Sequence, residues 1–486
     1  MPFTGVIMKP SPRLRSLVPL VGAAVLGACK PPAAPASPVS STEFPVRAAK
    51  ADVSLPFEKY ELDNGLDVIL SEDHSVPFVW VNIWYDVGSK DEEPGLSGFA
   101  HLFEHLMFQG SAHMDDDYFV PLQQVGARIN GTTNFDRTNY FEGVPAEQLP
   151  LALWLESDRM GFLLPALTEE RLANQQEVVR NERRQRYDNR PYGKVRLWLH
   201  EAAFPEDHPY HIPTIGKHED ISNAKLDDVR AFFKKWYVPN NASLSIVGDF
   251  DPAEAKALVE KYFAPLPRGE QPEPLREAPA SLDSEKVLHY ASKVPEHKVW
   301  IAWHSPRLYG AGDAELDITS QLLSQGKDSL LYQRLVKDTG IAKDVAAYQA
   351  SSLLASTYVV MATASPGHTT DELVAEIDGV IEAFRASPPS EEAVADARTS
   401  WEVHAYQRLL SISNKADMLN SYNLMVGDPD YLAYDLGRYT SVTADSVHRT
   451  VNTWLKPDER VVLHVHPLDE APSGAIIDAP ATDEEG

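Results

Sequence analysis

Cysteine is almost missing from this chain, which has one cysteine among 486 residues. A single thiol excludes a disulfide framework and a cysteine-ligated structural zinc site, so any metal ion here must be held by histidine and carboxylate. No apolar run reaches the roughly 18 residues that a membrane-spanning helix needs. The sequence therefore predicts neither a disulfide-stapled protein nor a transmembrane protein.

Positive charge is also scarce. Lys and Arg number 44 against 71 Asp and Glu, which gives a formal net charge of −27. So acidic a chain repels phosphate polymers unless it carries a local basic stripe. The densest basic run contains Arg183, Arg184 and Arg186 and lies among acidic neighbours. We therefore expect no nucleic-acid binding, while 43% hydrophobic residues are typical of a globular protein.

Residues 1–28 have the pattern of a lipoprotein signal peptide. A basic segment precedes an apolar stretch over residues 17–28, which is too short to span a bilayer and ends in the sequence Leu-Gly-Ala before Cys29. This ending resembles the lipobox of bacterial lipoproteins, in which the cysteine is lipidated. The alternative is an ordinary signal peptide with a stray cysteine at this position.

The segment that follows predicts an anchor and a spacer. Residues 29–52 are rich in Pro and Ala, which is typical of a flexible tether. We expect a periplasm-facing lipoprotein of the bacterial cell envelope, in the outer membrane, held to it only by the lipid anchor. Either Met1 or Met8 fits as the start.

Five prolines between residues 265 and 279 divide the remaining chain into two halves. The halves look related, because Val229, Trp236 and Pro239 recur as Val447, Trp454 and Pro457 at a constant offset of 218 and precede a similar alternating strand. Strands followed by runs of helices predict α+β layers. The predicted parts after the tether are domains at 53–264 and 286–468, a linker at 265–285 and an acidic disordered tail at 469–486.

One helical pattern brings chemistry-bearing residues together. His101 and His105 are four residues apart, so on a helix their imidazoles diverge by only about 40° and suit one zinc ion. Glu104 projects toward the same region, where it could take a proton from an attacking water. On its own, a histidine pair of this kind is also common on helix surfaces. The apolar neighbours Phe103 and Leu106 favour a half-buried helix with a reason to carry these groups.

The order H-x-x-E-H resembles the signature of the inverzincins, the M16 family that includes pitrilysin, insulysin and the mitochondrial processing peptidase. The family signature continues with a glutamate 76 residues further on, and counting from His105 this is Glu182. The resemblance runs from about residue 53 to residue 467. It implies a zinc metallopeptidase that binds one Zn²⁺ through His101, His105 and Glu182, with Glu104 as the general base.

The same resemblance implies the fold and the substrate. The fold would be two homologous α/β-sandwich domains of the α+β class, each a largely antiparallel sheet covered by helices, with a catalytic first half. The substrate would be an unfolded peptide or oligopeptide. Asn130, Gly131 and Thr132 resemble the edge strand that pairs with the substrate backbone, although a plain hairpin edge would look the same.

Two departures from the family pattern affect these expectations. Many relatives carry a second glutamate two turns before the third ligand, where this chain has Gln175. The nearby Glu177 lies on another side of a helix, so second-shell support from these two residues would be weak. The second half has no H-x-x-E-H motif and should be non-catalytic.

A third departure suggests a partner. Active relatives carry, in the non-catalytic half, an arginine and a tyrosine seven residues apart, and our alignment places Val336 and Lys343 there. We therefore expect a homodimer or a heterodimer with another M16 subunit that carries this pair. A one-turn slip of the alignment would instead select Arg334 with Tyr348 or Tyr332. The rival functions are a silent M16 subunit, a small-molecule lyase or hydrolase with the same motif, and an unrelated binding lipoprotein.

Overall fold

The computed structural model describes residues 44–47, 49–114 and 118–478. The first half of this part forms a six-stranded mixed sheet with helices. Its strands are β1 (Glu58–Glu61), β2 (Asp67–Glu72), β3 (Phe78–Tyr85), β4 (Arg128–Thr133), β5 (Thr138–Pro145) and β6 (Ala242–Gly248). Its helices are α1 (Phe99–Leu106), α2 (Phe119–Gln124), α3 (Leu149–Phe162), α4 (Glu169–Arg183), α5 (Val195–Ala203), α6 (His218–Asn223), α7 (Leu226–Trp236) and α8 (Pro252–Phe263).

The second half forms another six-stranded sheet with helices. Its strands are β7 (Lys286–Ser292), β8 (Lys298–Ser305), β9 (Ala342–Ala350), β10 (Ser356–Ala364), β11 (Arg460–Pro467) and β12 (Ile476–Ile477). Its helices are α9 (Asp313–Ser324), α10 (Thr370–Ala386), α11 (Glu391–Arg408), α12 (Ile412–Ser421), α13 (Leu432–Thr440) and α14 (Ala444–Trp454). Residues 265–285, between the two sheets, contain neither helix nor strand.

The two sheets have the same topology. Their strand orders are β1-β2-β6-β3-β5-β4 and β12-β7-β11-β8-β10-β9. In the first sheet β2 pairs in parallel with β6, and in the second sheet β7 pairs in parallel with β11. Strands β2 and β7 occupy the same place, each next to the short outermost strand of its sheet. The other long strands pair antiparallel. This correspondence confirms the predicted fold of two related α+β layers with largely antiparallel sheets.

Each sheet buries one face under helices of its own half. Val81 and Ile83 of β3 belong to the first core together with Phe103 of α1 and Phe233 of α7. The second core is built in the same way from β8, β10, α9 and α14. Alternation along each strand sends neighbouring side chains to opposite faces, so each sheet also has a second apolar face that needs cover.

Helix α12 of the second half covers the second face of the first sheet. Ala416 and Leu419 of α12 are buried against Ile69 of β2 and Val247 of β6. Polar contacts accompany this packing, since the Nδ2 of Asn420 donates to a backbone carbonyl of β3 at 2.8 Å. The first sheet is therefore closed by a helix that lies more than 150 residues further along the chain.

The reciprocal arrangement closes the second sheet. Helix α5 of the first half places Val195 in a cluster with Trp300 of β8 and Leu463 of β11. Trp198 of the same helix stacks on Tyr290 of β7 with ring centroids 4.0 Å apart. Because each half supplies the helix that closes the other, the described part of the chain packs as one unit.

The structure corrects the predicted tether at its C-terminal end. The tether prediction covered residues 29–52, but the backbone N–H of Val46 donates to the carbonyl of Tyr309 at 3.1 Å, and that of Ala51 donates to Ala433 at 2.8 Å. Phe44 also packs against the second half. Apolar side chains among the prolines thus fix residues 44–47 and 49–52 there, and a flexible tether is wrong for them.

The structure also corrects the predicted acidic tail, which was expected to be disordered from residue 469 onward. Strand β12 pairs in parallel with β7. Asp478 accepts a hydrogen bond from Ser292 at 2.9 Å and forms an ion pair with Lys194 at 2.7 Å. Two isoleucines and one paired carboxylate therefore hold residues up to 478 on the second sheet, and the prediction is wrong for them.

The predicted signal peptide at 1–28 and its Cys29 lie outside the described residues. None of the helices in the described ranges combines the length and the apolar composition that crossing a membrane requires. The helices and strands of the first half that carry the candidate site all lie in the described part.

Candidate active site

Helix α1 carries three of the predicted site residues. Its N-terminus begins after Gly98, which has a left-handed φ of 85°. The carboxylate of Glu92 accepts hydrogen bonds from the backbone N–H groups of Gly98 and Ala100 at 3.0 and 2.8 Å, which satisfies amides that a helix start leaves unpaired. His101 and His105 lie on the half-buried side of the helix. The side chains that anchor α1 in the first core are Phe99, Leu102, Phe103 and Leu106.

Helix α4 supplies the third candidate ligand. Its start is capped by Thr168, whose side chain accepts a hydrogen bond from the backbone N–H of Arg171 at 3.2 Å. Glu182 lies in the last turn, immediately before a π-helical turn at Arg184–Asp188. Such turns are frequent at functional sites. Helices α1 and α4 pack against each other and bring Glu182 beside the two histidines.

The three candidate ligands converge on one point. The Nε2 of His105 lies 3.2 Å from Oε2 of Glu182, and the Nε2 of His101 lies 3.7 Å from Oε1. One ligand atom from each residue lies within 4.8 Å of those of the other two. Ligand atoms bound to one tetrahedral zinc at about 2.0–2.1 Å lie roughly 3.3 Å apart, so the spacing suits a single ion.

The protonation states also fit a metal ion. Burial, together with the neighbouring imidazole of His105, lowers the pKa of His101 to about 4, so this ring is neutral near pH 7. Burial raises the pKa of Glu182, but the hydrogen bond to His105 and the nearby positive charges outweigh it and hold that pKa below its ordinary value. A neutral imidazole and an ionised carboxylate are the forms that bind zinc, so these residues fit Zn²⁺.

Glu104 lies on the inner side of the same group. Its side chain is buried, with 9% of the residue exposed, and burial raises its pKa above the ordinary range. The hydroxyl of Thr133 donates a hydrogen bond to its Oε2 at 2.6 Å and fixes the carboxylate. A raised pKa makes a carboxylate a stronger base, and the hydrogen bond keeps it in place.

Strand β4 is the edge of the first sheet and passes next to Glu104. It pairs with β5 alone among the described strands, so its outer edge has free backbone groups. Of the predicted substrate-binding residues, Asn130 is exposed, Gly131 is buried and Thr132 is half-buried. A Cβ atom at Gly131 would lie 3.1 Å from Cγ of Glu104, so glycine permits the close approach of the strand.

Comparison with known proteins decides the family. The family model described as insulinase (peptidase family M16) matches residues 67–216, and the model described as the peptidase M16 inactive domain matches residues 223–400. Together they cover more than half of the chain. The chain belongs to the M16 peptidase family. The first model covers all four predicted metal-site residues, and the second covers most of the strands of the half that lacks the motif.

M16 relatives agree along almost the whole described chain. The zinc protease PqqE of Helicobacter pylori is 27% identical over 417 residues, which is 84% of this chain and 93% of that protein. The crystal structure of a protease from Helicobacter pylori has a TM-score of 0.79 at 26% identity and covers 85% of this chain and 100% of that one. The periplasmic protease PqqL of Escherichia coli matches in fold, with a TM-score of 0.71 at 18% identity over 87% of this chain but 50% of that chain.

The two predicted supporting residues on α4 are placed differently from the three candidate ligands. Gln175 is buried within the helix packing. Glu177 is half-exposed and forms ion pairs with Arg180 and, at 3.9 Å, with Arg184. Glu177 therefore interacts with arginines of its own helix and its continuation, whereas Glu182 lies beside the two histidines.

Two residues that the sequence reasoning missed do contact the M16 site. Arg186 places Nη1 2.5 Å from Oε1 of Glu182, and Thr133 holds Glu104 as described above. Both had a sequence signal. Arg186 follows Glu182 by four residues, the spacing of a helical ion pair, and Thr133 ends the same edge strand as Asn130.

The residues considered for the arginine–tyrosine pair lie in the second half. Val336 packs on the second core, and Lys343 forms an ion pair with Glu296. The alternative Arg334 is paired with a glutamate of α10 at 2.6 Å. Tyr348, which is 42% exposed, lines a cavity of about 390 Å³ that also has walls from the first half. Tyr332, the other alternative, is half-buried in the π-helical segment that precedes β9.

Proposed function

We propose that this M16 chain is a zinc-dependent metalloendopeptidase that hydrolyses unfolded peptides or oligopeptides. The observation that carries the proposal is the convergence of His101, His105 and Glu182 on one point, with the buried Glu104 beside it and an edge strand next to Glu104. The zinc-protease names of its relatives support the same reaction class.

His101, His105 and Glu182 would hold one Zn²⁺ ion through two imidazole nitrogens and one carboxylate oxygen. Bound there, Zn²⁺ supplies Lewis acidity toward water and toward the carbonyl of the scissile peptide. Glu104 takes the proton from the attacking water and later returns it to the leaving amine. Thr133 keeps the carboxylate of Glu104 oriented throughout, and no serine or cysteine nucleophile is required.

Strand β4 gives the substrate a place to bind. An extended peptide can add to a sheet edge through main-chain hydrogen bonds, and this mode selects extended conformation more than side-chain identity. Because Gly131 brings β4 close to Glu104, a peptide paired with β4 would run past the catalytic carboxylate. We therefore propose unfolded segments as the substrate, with Asn130, Gly131 and Thr132 on the binding strand.

The test is peptide cleavage by the zinc-loaded protein and by its Glu104→Gln variant. The glutamine amide keeps the shape of the side chain but has no carboxylate to accept a proton. We therefore expect zinc binding to persist while turnover falls by about 10² to 10⁴. A mixture of unfolded peptides is incubated with each protein, and products are quantified by mass spectrometry.

Glu177→Gln is the matched control, because Glu177 is an exposed glutamate of the same helix that forms ion pairs with Arg180 and Arg184. This variant should cleave peptides at the wild-type rate. Unchanged turnover in Glu104→Gln would show that Glu104 is not the base.

A second candidate function is a catalytically weak or silent M16 subunit that needs or serves a partner. It is favoured by the residues at the aligned arginine–tyrosine positions, since Val336 is apolar and packs on the core while Lys343 pairs with Glu296. The comparison with PqqL also supports the need for a partner, because this chain corresponds in fold to half of the PqqL chain. We propose that a second M16 subunit, identical or related, completes the enzyme.

We also propose that the protein is anchored in the bacterial cell envelope through a lipid on Cys29. The sequence feature that supports this is the lipobox-like ending before the single cysteine of the chain. Cys29→Ala should move the protein from the membrane fraction to the soluble fraction or leave an uncleaved precursor, as measured by fractionation and intact-mass analysis. Unaltered fractionation and mass would rule out the lipid anchor.

A further inference from the structure

A second group of histidines lies on the sheet of the non-catalytic half. His464 and His466 are two residues apart on β11 and therefore point to the same face. His289 on β7 lies directly beside His464 in the parallel register, and their rings stack at 4.3 Å. One ligand atom from each of the three lies within 4.8 Å of the others. His464 and His466 are 3% and 7% exposed, so the cluster is largely shielded from water.

One nitrogen–nitrogen distance in this cluster is close to that expected around one ion, and the near-parallel rings have to turn for all three lone pairs to meet there. The Nδ1 of His289 lies 3.1 Å from Nε2 of His466. Two nitrogens bound to one tetrahedral zinc at about 2.0–2.1 Å lie roughly 3.3 Å apart. The gap between His105 and Glu182 in the candidate active site, 3.2 Å, is nearly the same.

Two of the remaining ring nitrogens have orienting partners. The Nδ1 of His464 lies 2.7 Å from the hydroxyl of Thr370, at the start of α10. The Nδ1 of His466 lies 3.0 Å from Nδ1 of His297, whose Nε2 lies 2.7 Å from a carboxylate oxygen of Glu470. Metal-ligating histidines donate their other N–H to such groups, so Nε2 is the ligand atom of His464 and of His466, and an ion would replace the contact between His466 and His289.

One carboxylate lies beside the cluster. The carboxylate of Asp371, 3.7 Å from Nδ1 of His464, is the acidic group nearest to that ring among the described ion pairs and lies on the solvent side.

We propose that His289, His464 and His466 bind a second divalent transition-metal ion, of the imidazole-preferring group that includes Zn²⁺, Ni²⁺ and Cu²⁺. Three imidazoles are a ligand set that these ions accept. The ion joins β11 to β7, and His297 with Glu470 extends the connection to the loop before β8 and the turn after β11. This is a structural site that is separate from the proposed peptidase centre and does not depend on its activity.

The experiment measures metal binding after the first site has been removed. His101→Ala/His105→Ala is purified without metal and titrated with Zn²⁺ by calorimetry, and bound zinc is measured after dialysis. We expect one Zn²⁺ per chain in this background and a higher melting temperature when it binds. Adding His289→Gln should weaken binding at least about tenfold, since even losing an outer-shell partner costs 10- to 100-fold. His289 is chosen because it is only half-buried.

His404→Gln is the matched control, because His404 is exposed on α11 in the same half, and it should leave zinc binding unchanged. Co²⁺ binding to the same background is a second readout, since the visible spectrum of Co²⁺ reports a tetrahedral site even if His289→Gln fails to fold. If only hydrogen bonds between imidazoles hold this cluster together, neither Zn²⁺ nor Co²⁺ will bind. That result would overturn the proposal. Undiminished binding in folded His289→Gln would do the same.

Discussion

At the scale of single residues, the candidate active site depends most on Glu182. Its carboxylate lies beside the imidazoles of His101 and His105 and forms an ion pair with Arg186 at 2.5 Å. Arg186 is 69% exposed in its side chain, so it orients Glu182 from the solvent side without burying a second charge. A ligand held from two directions loses little conformational freedom when a metal ion binds.

Replacing Glu182 tests the ligand set directly. Glu182→Gln removes the negative charge that zinc needs from its carboxylate ligand, so we expect a large loss of bound zinc at this centre. The measurement is zinc content after dialysis against a zinc-buffered solution. It is made in a His289→Gln background, so that the histidine cluster of the second half does not contribute.

The control for this prediction is Glu177→Gln, which changes another glutamate of α4 whose ion pairs are with Arg180 and Arg184. Its zinc content should equal that of the His289→Gln parent. Wild-type zinc content in Glu182→Gln would mean that Glu182 is not the third ligand.

The residue scale also shows which parts of the site were readable in the sequence. The spacing of His101 and His105 predicted a shared helix face, and the family resemblance supplied Glu182 and its distance. Thr133 and Arg186 were missed because a hydrogen bond to Glu104 from a strand, or an ion pair from a π-helical turn, depends on how elements pack. Glu177 was considered near the site, but the local arginines hold it elsewhere.

At the scale of elements, helix α12 is the clearest case of packing that local sequence patterns do not reveal. The repeat at Val229 and Val447 predicted that the two halves are related, and these residues do lie on the equivalent helices α7 and α14. Nothing in the pattern of α12 says which sheet it covers, because a helical period specifies an apolar face and not its partner. The same limit applies to β12, whose two isoleucines precede an acidic segment.

Helix α12 should contribute strongly to stability through Leu419. This side chain is fully buried against the first sheet, and truncating a buried leucine to alanine removes apolar contacts and leaves a cavity. We expect Leu419→Ala to lower the free energy of unfolding by about 2–5 kcal/mol. Urea unfolding followed by circular dichroism measures the change.

Leu410→Ala is the matched control, since Leu410 lies just before α12 and is 82% exposed. That substitution should leave the unfolding midpoint within experimental error of the wild type. An equal effect of the two substitutions would contradict the role of α12 as the cover of the first sheet.

At the scale of the whole molecule, each half completes the other in structure, while the chemistry is divided unequally. Helices α5 and α12 cross between the halves and close both sheets. The candidate ligands of the proposed peptidase centre all lie in the first half, and the second half has no H-x-x-E-H motif. This M16 chain therefore has the three residues proposed to hold zinc, but it has Val336 and Lys343 at the positions aligned with the arginine–tyrosine pair.

The last prediction follows from that division. Peptide cleavage should be slow for the purified chain alone and should rise by about 10² or more when a second M16 subunit supplies donors for the developing oxyanion. The measurement is turnover at a fixed concentration of this chain and increasing concentrations of either a related M16 subunit or further copies of the chain itself. A rise with added copies indicates a homodimer, and a rise only with the related subunit indicates a heterodimer.

Mixing the related subunit with Glu104→Gln should restore no activity, because the base must come from this chain. Full activity of the chain alone, without gain from either addition and with a large loss in Arg334→Ala, would contradict the need for a partner. In that case Arg334 would have to leave Glu376, with which it is paired at 2.6 Å, and reach the substrate itself.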